Sequence, residues 1–149
     1  MKPFVFDYQA VLDSRAAEEQ ASERVISPLV ARRSVLESEL IEHRHYLESN
    51  RHLARSQLTG RIDIDVLRAY AGQSVQAMRR IRALLLEMSE VHGALESAKE
   101  RWMECRRRRR GIECLRDRDL ASWNRQRKRI EIREQDDLVS TRASRELQS

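Results

Sequence analysis

Between Ile81 and Cys105 the apolar residues fall alternately three and four apart: Ile81, Leu84, Met88, Val91, Leu95, Ala98, Trp102 and Cys105. Their spacing averages about 3.5 residues, the period that keeps one stripe of a helix turned toward a partner helix in a left-handed supercoil. Such a stripe needs a partner, and the same alternation recurs upstream at Leu12, Ala16, Glu19, Ile26, Leu29, Arg33, Leu36, Leu40, His43, Leu47 and Ala54. Polar residues at some of these positions lower stability while fixing register. Five arginines, Arg106 to Arg110, follow the second stripe, and Arg109 stands where an apolar residue is due. The seam weakens there and the surface turns basic.

The stretch Thr59-Gly60-Arg61-Ile62-Asp63 separates the two stripes. Gly60 suits a helix C-terminal cap, and Asp63 or Asp65 can cap the helix that starts next. The expected fold is all-α, a long antiparallel two-helix coiled-coil hairpin with an overhanging C-terminal helix, in a single domain over 1–149. Helix 1 is expected over about 7–58, the turn over about 59–63 and helix 2 over about 64–146. With the turn centred there, the numbers of facing residues should add to about 121, which sets Leu40 opposite Ile81, Leu36 opposite Leu85 and Ile26 opposite Leu95. Ser27-Pro28 predicts a kink or a restart of helix 1, because proline lacks the amide hydrogen and clashes with the preceding turn. From about Arg118 onward helix 2 is expected to lack a partner within the chain, although it carries Leu120, Trp123, Ile130, Ile132, Leu138 and Val139. An unpaired helix with such side chains is frayed or binds another protein.

Composition narrows the function. With 36% charged and 5% aromatic residues, the 149-residue chain has too little apolar area for a thick core but enough for long helices with a narrow buried stripe. It has no run long and apolar enough to span a membrane and no basic-then-apolar N-terminus, so neither a span nor a signal peptide is expected. Cys105 and Cys114, nine residues apart on one helix, cannot bridge within it, which fits a reducing compartment. His43, His45, His52 and His92 do not pair at the three- or four-residue spacing of a helical metal site. A phosphate loop and a nucleophile elbow are also lacking, and two packed helices offer no concave pocket. No metal, cofactor or small-molecule substrate is expected, and the chain does not read as an enzyme.

Charge is distributed by region. Residues 101–133 hold thirteen Lys/Arg against five Asp/Glu, in a chain whose net charge is +5. An acidic partner suits that region. Five consecutive helical residues point all round the helix, so a solvated basic face, an acidic protein surface and nucleic acid are all compatible with the run, with nucleic acid the least favoured. Phe4, Phe6 and Tyr8 bring three of the chain's seven aromatics into the first eight positions. They predict ordinary packing of a helix end or stapling of the N-terminus onto a helix or partner.

The opening Phe4-x-Phe6-x-x-Gln9-x-Val11-Leu12-Asp13-x-Arg15, followed by Glu18-Glu19-Gln20-Ala21, resembles the N-terminus of the FliJ family of flagellar protein export. The tail Arg129-Ile130-Glu131-Ile132-Arg133-Glu134-Gln135-Asp136-Asp137-Leu138 is similar to that family's charged C-terminal motif, and Val66-Leu67-x-x-Tyr70 after the turn resembles its hairpin. Pro28, Gly111 and the dense arginine run depart from the pattern. The resemblance implies a non-catalytic stalk, adaptor or chaperone escort of the type III export apparatus. Its implied partners are the export ATPase hexamer, the membrane export gate protein and export chaperones. It also implies a cytoplasmic location, peripherally associated with the inner membrane at the flagellar base. On that reading Arg15, Arg116, Arg127 and Arg129 meet an acidic pore, Trp123 is the apolar anchor, and Glu131, Glu134 and Asp136 form a polar rim. The alternatives are a basic coiled coil that binds nucleic acid through Arg106 to Arg110, and a homo-oligomeric scaffold in which a second copy covers the overhang.

Overall fold

The computed structural model describes residues 2–146, and two long helices account for nearly all of them: α1, Gln9–Ser56, and α2, Ile64–Glu146. The chain is all-α, a helical hairpin whose helices meet through residues far apart in sequence. It divides into two compact units, one spanning Ala21–Trp102 and the other joining the residues up to Gln20 with those from Met103 onward.

In the first unit the chain turns over residues 57–63. The last turn of α1 tightens as Leu58 N–H donates to the Arg55 carbonyl (3.2 Å), and the Thr59 hydroxyl donates to the Ser56 carbonyl (2.8 Å). Gly60 then takes a φ of +91°, which a side chain would strain. Asp63 caps α2, its Oδ1 accepting from the Asp65 N–H at 3.0 Å and the Val66 N–H at 3.4 Å. This satisfies amides that a helix start otherwise leaves open.

The seam closes on Leu36, Leu40 and Leu84, with Ile81, Met88 and Val91 packed against them. Leu36 and Leu84 are completely buried, and Leu95 and Ala98 are buried farther along. Arg32 meets Glu87 at 2.7 Å and Arg80 meets Glu39 at 2.6 Å, pairs whose numbers both add to 119. Around Leu36 and Leu84 the register is therefore slightly lower than the expected 121. As a result Leu84 joins Leu36 in the core, and Leu85, expected opposite Leu36, is 46% exposed.

Every position of the expected α1 stripe from Ile26 to Ala54 is buried or half-buried, and the stripe also takes in Asn50. Only 4% exposed, Asn50 donates through Nδ2 to the Tyr70 carbonyl and to Ser74 Oγ, both at 2.8 Å. A buried amide satisfied in one alignment of the helices disfavours the others.

α1 runs through Pro28 without a break, so the restart expected at Ser27 is not found. Both Ser27 and Pro28 are exposed, so water can take up the carbonyl that the missing amide leaves free, while half-buried Ile26 and Leu29 hold the flanking turns to the seam.

In the second unit Phe6 and Leu12 are buried. Arg109, which interrupts the apolar stripe, is half-buried and donates to Glu19 across the helices and to Glu113 one turn on, the latter at 2.7 Å. The Glu19 hydrogen bond, reinforced by the charges of both carboxylates, raises the Arg109 pKa above the ordinary guanidinium value despite partial desolvation. A cation in the seam thus has its counter-ions built in.

Candidate partner-binding surface

Residues 2–6 precede α1 in a non-helical stretch, and they reach α2. The Phe4 ring lies 6.1 Å from that of Trp123, tilted by 59°, and Phe6 meets Tyr8 edge-on at 5.8 Å. The clustered N-terminal aromatics therefore staple the chain's start onto its second helix. Leu120, Ser122 and Trp123 are half-buried, and an unbroken run of exposed residues on α2 begins only at Asn124 and extends to Arg145, not at Arg118 as the facing count implied. The difference is already present within the helices, since Glu19 on α1 pairs with Arg109, numbers that add to 128 against the expected 121, and Phe4 with Trp123 keeps nearly the same sum, 127.

Trp123 is the centre of the surface. The Arg127 guanidinium lies 5.7 Å from its ring centre, within cation–π range, while its Nε donates to Glu131 at 2.7 Å. Trp123, Arg127, Ile130, Glu131 and Glu134 fall at offsets of 0, 4, 7, 8 and 11, one helix face. With Lys2, Pro3 and Phe4 they line a groove of about 560 Å³. A neighbouring groove of about 480 Å³ is lined by Phe4, Val5, Phe6, Gln9, Arg116 and Leu120.

Of the residues singled out from the sequence, the fold therefore gathers Arg116, Trp123, Arg127, Glu131 and Glu134 along one side of α2. Arg129 and Asp136 are exposed on the other side, six and thirteen positions past Trp123 at about 100° per residue. Arg15 sits on α1, bonded to Glu18 at 2.8 Å. Phe4 and Ile130 belong to the surface and were not assigned to it by the sequence. Ile130 was legible from its seven-residue offset to Trp123, whereas Phe4 was not, because periodicity says nothing about a non-helical segment.

The arginine run is largely compensated. Arg107 and Arg108 both reach Glu104, at 2.9 and 3.0 Å, and Arg109 is held by Glu19 and Glu113. Counter-ions supplied by the chain itself leave fewer guanidinium groups to track phosphates. Among the described residues no group of three or more His, Cys, Asp or Glu is arranged to hold a metal, and no helix is long and apolar enough to cross a membrane.

A family model described as "Flagellar FliJ protein" matches residues 4–148. The chain belongs to the FliJ family. No curated protein and no solved structure matches it. FliJ-family membership makes the chain a non-catalytic component of flagellar type III export with a stalk or chaperone role. It also implies interaction with components of the export ATPase and gate.

Proposed function

We propose that this chain is a stalk or adaptor that binds the export ATPase hexamer and the membrane export gate and escorts export chaperones, at the cytoplasmic face of the inner membrane near the flagellar base. The observation that supports this reading is the face of α2 centred on Trp123. It combines an aromatic side chain, a stacked guanidinium and acidic neighbours, and it continues into exposed α2 bearing Ile130, Ile132, Leu138 and Val139. Aromatic and arginine side chains at the centre of a patch with a charged rim are the usual anchors of protein–protein association. Arg15, Arg116, Arg127 and Arg129 supply charge for an acidic lining, with Glu131, Glu134 and Asp136 as the rim. Arg129 and Asp136, on the opposite side of α2 from Trp123, suit a partner that surrounds the helix.

Co-purification with the export ATPase tests the proposal. Full-length protein is expected to bind the ATPase and to change its turnover or ring assembly. If it does neither, the stalk reading fails, and tight binding to DNA or RNA with a steep salt dependence would favour the nucleic-acid alternative.

A further inference from the structure

Among the described residues, the segment that covers Trp123 is fastened through its backbone at the end that meets α1. Phe6 is buried, and its carbonyl accepts from the Gln9 N–H at 3.1 Å, where α1 begins. Upstream, Lys2, Pro3 and Val5 are exposed and Phe4 is half-buried against Trp123. Among the described residues the backbone–backbone hydrogen bonds of this segment begin at Phe6. Residues 2–5 are therefore held by side-chain packing, without the backbone ladder or helix that would make them a cooperative part of the fold.

We infer that the α2 face around Trp123 is a docking surface for an extended aromatic segment of a protein partner, covered at rest by the chain's own residues 2–5, and that the partner binds by presenting an aromatic side chain in place of Phe4. The inference rests on the reading of Trp123 as a partner anchor and adds what that partner must offer. A groove of about 560 Å³ stays open between the resident Lys2, Pro3 and Phe4 and the α2 residues Trp123, Arg127, Ile130, Glu131 and Glu134, so an incoming segment can reach this face beside the resident one. The resident segment is a template for the match: a ring against Trp123, and a cation two residues before it at the groove that Glu131 and Glu134 line. Tethering gives such a short segment an effective concentration of order millimolar, so weak intrinsic affinity keeps the groove covered. A partner that adds contacts along exposed α2 can displace it.

The test uses a fluorescent peptide spanning residues 2–8 (Lys-Pro-Phe-Val-Phe-Asp-Tyr), followed by anisotropy against the full-length chain and its Phe4→Ser variant. The variant, with its own segment released, is expected to bind the peptide at least about tenfold more tightly than the intact chain, which competes internally. Adding Trp123→Ala should abolish that gain. The inference is overturned if the variant stays helical and ignores the peptide, if both chains bind it equally, or if the gain survives Trp123→Ala. It is also overturned if Phe4→Ser unfolds the chain by circular dichroism, since Phe4 is then part of the core. ATPase capture is scored separately. Its failure with peptide binding intact removes the ATPase reading and leaves the groove, and the converse result removes the groove alone.

Discussion

Leu84→Ala is expected to destabilise the protein by about 2–5 kcal/mol, whereas Leu85→Ala, one residue along, should change stability by no more than about 0.5 kcal/mol. Leu84 is fully buried against Leu36 and Leu40, so truncating it loses transfer energy and leaves a cavity that two pinned helices only partly close. Leu85 lies on the same turn but is 46% exposed, and its removal returns little area to water. Denaturant midpoints of the two variants measure the contrast. Equal losses, or a larger loss for Leu85, would show that the helices are aligned differently from the Arg32–Glu87 and Arg80–Glu39 pairs described above.

Trp123→Ala should divide its effect the other way. Truncating a central aromatic anchor costs at least about 2 kcal/mol of binding, close to thirtyfold in Kd for the export ATPase. In the isolated protein the residue is half-buried and packs on Phe4, so the melting temperature should fall by only a few degrees, about what 1 kcal/mol produces in a chain of this size. A loss of stability as large as that of Leu84→Ala would make Trp123 a core residue and empty the proposed surface of its anchor.

The seam was the most legible part of this protein. Each apolar stripe residue between Ile81 and Cys105 is buried or half-buried, because a 3.5-residue period leaves a helix only one way to face its partner. The helix pairing was legible for the same reason, since a single turn between two stripes forces them antiparallel. Asn50 was missed because its side chain is polar, although its place between Leu47 and Ala54 falls on the stripe. Its identity as a seam residue follows from position and its tolerance from the acceptors at Tyr70 and Ser74, which only the folded alignment supplies. At Pro28 local propensity allows a kink or a restart, and packing on both sides carries the helix through without a restart. The candidate surface was legible in part. The offsets 123, 127, 131 and 134 define one face from sequence, and Arg116 joins it, but the covering of Trp123 by Phe4 depends on an extended segment whose course has no periodicity to read.

The Glu19–Arg109 ion pair closes a separation of 90 residues, whereas Asn50 meets Tyr70 over only 20. Closing the longer loop from an unfolded chain costs about 1 kcal/mol more, and the cost is far smaller once the nearer pairs have already formed. Folding is therefore expected to start beside Gly60 and progress away from it, with the beginning of α1 the last to find its place and the first to let go. Hydrogen exchange should accordingly find the amides around Ala16 to Glu19 less protected than those around Leu36 to Leu47, with the reverse order counting against this sequence of events. Until the beginning of α1 settles, the molecule presents Trp123 to whatever binds it first.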